Sequence, residues 1–107
     1  MSQLELWLTQ YETDVRFPDV SGMEHLDMLL TRSHIAAVKD DLTQEQVSRL
    51  QSADQFLLRF ADQFYQAIRA VAVLSEWRQN ANASPEEWWW YLDVLVSVPQ
   101  YAPAGRS

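Results

Sequence analysis

The sequence predicts a single all-α domain, a small helical bundle of four helices, or five if its long central helix breaks. Three observations lead to this fold class. Apolar residues recur at steps of three and four along most of the chain, which is the period of an amphipathic α-helix. Capping residues precede several of these segments. The chain contains only two glycines and four prolines. We place the domain at residues 1–98 and expect a flexible C-terminal tail at 99–107, where prolines and a glycine interrupt any regular pattern.

The first two helices are predicted at residues 2–15 and 23–39. Ser2 is the expected N-cap of the first helix and Ser21 that of the second. The apolar face of the first helix consists of Leu4, Trp7, Leu8, Tyr11 and Val15. The core face of the second consists of Leu26, Leu29, Leu30, Ser33 and Ala37. Each helix therefore has one side suited to packing against the rest of the domain.

The central element is predicted as one long helix over residues 43–79, around which the other helices are organised. Thr43 and Gln46 form the pattern of a capping box, and no glycine or proline follows until Pro85. One side of this helix carries Val47, Leu50, Leu57, Ala61, Phe64, Ile68 and Val71. A second apolar row widens this side to about half the circumference, more than an ordinary surface helix has. Two or more neighbouring elements, or a second chain, must cover it.

Asp54 lies on the apolar side of this long helix, in line with Val47 and Ala61. A single polar residue at such a position can fix register or oligomeric state. The alternative is that the helix bends near Ser52, which opens a second capping pattern, and that Asp54 reaches water. A straight helix of this length would extend about 50 Å, which also favours a break.

The last helix is predicted from Pro85 to about Ser97. Ser84 is the expected cap, Pro85 the first helical residue, and Glu86 and Glu87 fill the first turn. Proline at position 99 then ends the helix.

Four consecutive aromatic residues, Trp88 to Tyr91, stand in this last helix. At about 100° per residue, Trp88 and Tyr91 point inward, Trp89 borders them, and Trp90 lies on the opposite side with Val94 one turn later. Three interpretations are open. Trp90 packs within its own chain, under a loop or the tail; or the pair forms a protein contact; or the aromatic residues line a pocket for a flat ligand. We predict Trp89, Trp90 and Val94 as protein-binding residues.

Composition argues against several classes of function. The net charge is −7, and residues 1–45 hold nine of the fifteen acidic side chains. This acidity argues against direct binding to nucleic acid or to anionic membranes. No cysteine is present, no segment of about 20 apolar residues could span a membrane, and no signal peptide is visible. We expect a cytoplasmic protein.

No pattern for catalysis or for a cofactor is visible. His25 and His34 are nine residues apart in one helix, so they point to opposite sides and cannot chelate one metal ion as an i, i+4 pair can. No Gly-rich phosphate loop and no nucleophile–base arrangement occurs. We expect neither a metal site nor enzymatic activity.

The predicted function is a non-enzymatic protein–protein interaction module: an adaptor, assembly factor or regulatory subunit. We expect a protein partner, a homodimer formed through the aromatic C-terminal helix, or both. One alternative is a small acidic inhibitor or antitoxin-like protein that covers a basic surface of its target through residues 1–45. The other is a helical protein that binds a ligand or pigment in an aromatic pocket lined by Trp88, Trp89 and Tyr91.

Overall fold

The structure, a computed structural model, describes residues 2–97 and is all-helical over that range, with no β-strand among these residues. The predicted tail at 99–107 lies outside the described residues. The α-helices are α1 (Gln3–Asp14), α2 (Gly22–Ala37), α3 (Gln44–Arg59), α4 (Ala61–Arg69), α5 (Leu74–Asn80) and α6 (Leu92–Ser97). Two short 3₁₀ helices, Lys39–Asp41 and Trp88–Tyr91, precede α3 and α6.

The predicted starts of the first three helices are confirmed by their caps. The Ser2 hydroxyl accepts from the amide of Glu5 at 3.1 Å, and the Ser21 hydroxyl accepts from Glu24 at 3.3 Å. Thr43 and Gln46 form both bonds of a capping box, at 3.1 and 3.0 Å. These bonds satisfy amides that would otherwise lack a partner in the first turn of each helix.

Helix α2 packs closely against α4 at its first residue. A Cβ atom added to Gly22 would overlap the carbonyl oxygen of Ala67. Glycine is therefore required here because the two backbones touch. Gly22 is the first residue of α2, which begins one residue earlier than its apolar pattern predicts.

The prediction of one long central helix is wrong: residues 43–79 form three helices. The first break is a kink at Phe60, whose φ of −108° and ψ of 23° are no longer helical, although Phe64 still bonds back to Phe60. The second lies at residues 70–73, where Val73 is extended. Ser52, the predicted break point, lies inside α3.

Tertiary packing explains the kink, since no glycine or proline stands there. The bend lets α3 pack on α1, while α4 packs on α2 and α6. The wide apolar side of residues 43–79 is thus covered by different neighbours on either side of Phe60.

The final helix also differs from its prediction. Ser84 to Glu87 form a turn, closed by the Glu87 amide on the Ser84 carbonyl at 3.0 Å. The Glu87 carboxylate accepts from the Ser84 amide at 2.9 Å, which is half of the capping arrangement expected at this position. The chain then continues as a 3₁₀ helix, and the α-helix starts only at Leu92. This geometry lets Trp89 and Trp90, which are neighbours in sequence, both enter the core.

The hydrophobic core joins all six α-helices and the aromatic 3₁₀ helix. Its largest fully buried side chains are Trp90, Tyr11, Phe64, Leu8, Leu26 and Met28. This core holds in place the polar network and the groove described next.

Candidate functional site

A charged pair lies at the contact between α1, α2 and α3. The Arg32 guanidinium donates from Nε to Asp54 Oδ1 at 2.9 Å and from Nη2 to Asp54 Oδ2 at 3.0 Å. The Tyr11 hydroxyl donates to the same Oδ1 at 2.6 Å. Only 9% of the Arg32 side chain and 16% of the Asp54 side chain is exposed. Asp54 is therefore held by partners within its own chain, and no bend of α3 carries it to water.

Burial strengthens these contacts because water does not compete for the charges. Burial and the Asp54 carboxylate raise the pKa of the Tyr11 hydroxyl well above its ordinary value, so Tyr11 acts here as a neutral donor. The Arg32 guanidinium also stacks over the Trp89 ring, 4.1 Å from its centroid.

Ser33, the next residue along α2, connects this pair to the aromatic 3₁₀ helix. Its hydroxyl oxygen accepts from the indole nitrogens of Trp89 at 2.9 Å and of Trp90 at 2.8 Å. The same hydroxyl donates to Glu87 Oε1 at 3.2 Å. One serine therefore satisfies two buried indole N–H groups, which fixes the segment 87–90 against α2.

An open groove of about 620 Å³ lies between the end of α2, the start of α3 and the segment 84–89. This volume falls within the range of binding sites for small ligands. Its apolar and aromatic walls include Ala36, Leu42, Val47, Leu50, Trp88 and Trp89. The polar lining includes Arg32, Lys39, Asp40, Glu86 and Glu87. The groove thus combines an aromatic wall with charges of both signs.

The predicted protein-binding residues do not form one surface patch. Trp90 is fully buried and Trp89 is 3% exposed, whereas Val94 in α6 is 45% exposed. The expected position of Trp90 on the outer side is wrong, because the chain at 88–91 is a 3₁₀ helix that packs against Ser33. Self-association through this helix stays a prediction, but it loses Trp90 as its centre.

The aromatic residues considered for a pocket are divided between two places. Trp88 and Trp89 line the groove. Tyr91 instead lies under the Arg78 guanidinium, 4.6 Å from it, and Arg78 pairs with Asp93 at 2.8 Å.

The two histidines are separated, as their spacing predicts. His25 is buried, bonds through Nε2 to the Pro18 carbonyl at 3.1 Å, and meets Phe64 edge-on. Burial lowers the pKa of His25 below its ordinary value. His34 is exposed beside Trp7. Within residues 2–97, no group of three histidine, aspartate or glutamate side chains could hold a metal ion.

The acidic N-terminal part contributes to a second network on the surface. Arg49 pairs with Glu5 at 2.9 Å and with Glu12 at 2.7 Å, and Gln46 donates to Glu5 at 3.1 Å. Two of the acids in residues 1–45 therefore share one arginine of the same chain.

Comparisons with protein-family models, with curated proteins and with solved structures found no match. Among the helices that the structure describes, none has both the length and the apolar character needed to cross a membrane.

Proposed function

We propose that the protein is a non-enzymatic interaction module, and that the groove beside Trp88 and Trp89 binds a peptide segment of a protein partner. The observation that carries this proposal is the groove itself, an open depression with an aromatic wall and charged residues in its lining. Contact sites commonly combine an apolar and aromatic centre with a polar rim.

The network behind the groove supports this function. Arg32, Ser33 and Trp89 line the groove and are themselves fixed by Asp54, Glu87 and the core. A wall that is ordered before binding loses little conformational entropy when a partner docks.

A small aromatic ligand is the second candidate. The presence of both Trp88 and Trp89 in the lining favours it, since flat ligands stack on aromatic side chains. A groove that is open on one side suits an extended peptide better than a small molecule, which is usually enclosed over most of its surface.

The test is a selection of peptides from a displayed library on the native protein, followed by binding measurements on two matched variants. Ala37 ends α2 and lines the groove, whereas Ala70 follows α4 and is exposed outside it. Ala37→Arg should abolish binding of the selected peptides by filling the groove, and Ala70→Arg should leave binding unchanged. Peptides that bind both variants equally would place the binding surface elsewhere. Selection of none, with a small aromatic compound shifting the resonances of Trp88, would favour the second candidate.

A further inference from the structure

Arg32 uses only part of its hydrogen-bonding capacity on partners among residues 2–97. The guanidinium has five N–H donors. Two are directed to Asp54, one from Nε and one from Nη2. Nη1 has no hydrogen-bond partner among residues 2–97, and the side chain is only 9% exposed. Arg32 therefore has donors left for one further acceptor.

The acids near the groove do not fill this place. Asp54 is the only carboxylate within 4.0 Å of Arg32 in the described part of the chain. Glu87 accepts from the Ser33 hydroxyl and from the Ser84 amide, one bond on each oxygen. Asp40 and Glu86 are exposed. The remaining donors of Arg32 are therefore available to an acceptor that enters the groove, which Arg32 lines.

The charges around the groove restrict what can enter it. Among the residues that the structure describes, the cations lining it are Arg32 and Lys39, and Lys39 is the only lysine of the chain. The exposed acids Asp40 and Glu86 line the same groove, and the chain as a whole carries a net charge of −7. A ligand with several negative charges would be repelled, whereas one carboxylate with cations around it would match both signs.

We infer that the groove binds an extended segment of a partner protein that carries one acidic side chain between apolar residues, with basic residues on either side. The carboxylate contacts Arg32 and Lys39, since guanidinium binds carboxylate in a planar, charge-assisted geometry. The apolar residues pack on Trp88, Leu42 and Val47, and the basic residues face Asp40 and Glu86. This inference rests on the proposed function of the groove and names its ligand.

The experiment uses two pools of short peptides that differ in one group. Each peptide is Ac-Lys-X-Glu-X-Lys-NH₂ or Ac-Lys-X-Gln-X-Lys-NH₂, in which X is Leu, Val, Phe or Trp. Binding is followed through amide and indole resonances of the ¹⁵N-labelled full chain, with Trp88 and Ala36 as reporters in the groove and Val94 as a reporter outside it. We expect the Glu pool to bind about tenfold more tightly than the Gln pool, the range of a charge-assisted hydrogen bond.

Two variants, one of them with a matched control, test whether Lys39 and Arg32 cause the preference for Glu over Gln. Lys39→Met should weaken the Glu pool by up to about fivefold, as expected for an exposed pair. Arg69→Met is its control, since Arg69 is exposed on α4, does not line the groove and loses the same charge. The triple variant Tyr11→Phe, Arg32→Met, Asp54→Leu removes Arg32, its partner Asp54 and the Tyr11 hydroxyl that donates to Asp54, so that no buried charge is left alone. In this variant the preference for Glu over Gln should fall from about tenfold to the share that Lys39 supplies, at most about fivefold.

The outcomes separate the two proposals. A preference for Glu that falls both in the triple variant and in Lys39→Met, but not in Arg69→Met, supports the inference, and a preference that neither change reduces overturns it. Equal binding of both pools at Trp88 and Ala36 overturns the carboxylate inference and leaves the groove as a binding site. If neither pool shifts the groove reporters at millimolar concentration, the carboxylate inference is overturned, and the selection of peptides from a library decides separately whether the groove binds peptides of another kind.

Discussion

Two arginines of this protein each bind carboxylates, but in different surroundings. Arg32 lies between α1, α2 and α3 with 9% of its side chain exposed and one carboxylate partner, Asp54. Arg49 lies on the surface between α1 and α3 with 28% exposed and two partners, Glu5 and Glu12. Both donate at least two hydrogen bonds at 3.1 Å or less.

The two arginines differ in whether water can solvate their charge once a carboxylate partner is removed. If a partner of Arg49 is removed, water solvates the freed charge, so exposed pairs contribute little to stability. If Asp54 is removed, Arg32 keeps its charge in a buried position, and the cost is that of an uncompensated buried ion. Removal of one partner of the buried pair is thus costly. Replacement of both partners by apolar residues of the same size need not be.

The largest effect is expected from Asp54→Asn. This change keeps the shape of the side chain but removes the charge that compensates Arg32, and we expect the free energy of unfolding to fall by about 3–5 kcal/mol. Urea denaturation followed by circular dichroism measures it. Asp62→Asn is the control, because Asp62 is exposed on α4, and should change stability by less than about 0.5 kcal/mol. A loss as small as that of the control would mean that water reaches Arg32.

Ser33→Ala tests the part of the buried region that joins Arg32 to the tryptophans. It removes the shared acceptor of the Trp89 and Trp90 indole groups, and each buried donor left alone costs about 1–3 kcal/mol. We expect a loss of at least about 1 kcal/mol in the same assay and an altered near-ultraviolet circular dichroism spectrum from the tryptophans. Ser48→Ala, at an exposed position of α3, should change neither. An unchanged spectrum would show that the tryptophans keep their places without Ser33.

Arg49→Gln is the matching change on the surface and should cost less than about 1 kcal/mol in low salt. The loss should shrink as ionic strength rises, because salt screens exposed pairs, whereas the loss in Asp54→Asn should persist. Denaturation of both variants at two salt concentrations distinguishes them. If Arg49→Gln proved as destabilising as Asp54→Asn, exposure would not explain the difference between the two arginines.

The helix starts were predictable because their causes are local. Ser2, Ser21 and Thr43 each bond to an amide three residues away, and that distance is visible in the sequence. The kink at Phe60 has no such signal, since it depends on which neighbours cover α3 and α4. The sequence alone therefore predicts one long helix.

The site was predictable only in fragments. The sequence shows that Asp54 on an apolar side and Ser33 on a core face are polar residues at unusual positions. It does not show their partners, because Arg32 is 22 residues from Asp54 and Trp89 is 56 residues from Ser33. Trp90 is a similar case: its placement on the outer side assumed a regular α-helix, and the 3₁₀ helix at 88–91 turns it inward. Arg32 and the groove follow from how α2, α3 and the aromatic segment pack, which no local pattern encodes.

The smallest expected effect is the dependence of the surface network on pH. Hydrogen bonds from Gln46 and Arg49 lower the pKa of Glu5 below its ordinary value of 4.5. A carboxyl group with a lowered pKa in the folded state stabilises the protein above the unfolded pKa, and this contribution disappears as the pH falls through the folded pKa. Native protein should therefore be more stable than Glu5→Gln at neutral pH, with a difference that shrinks below pH 4.5.

Thermal unfolding of both proteins across this range measures that difference. Asp14, whose pKa is raised by burial, has the opposite pH dependence, but it is present in both proteins and cancels in the comparison. If the difference stayed constant through the acid range, Glu5 would contribute through its uncharged contacts alone. The ion pair between Glu5 and Arg49 would then add nothing to stability through its charge, whereas the charge of Asp54 would still be needed beside the buried Arg32.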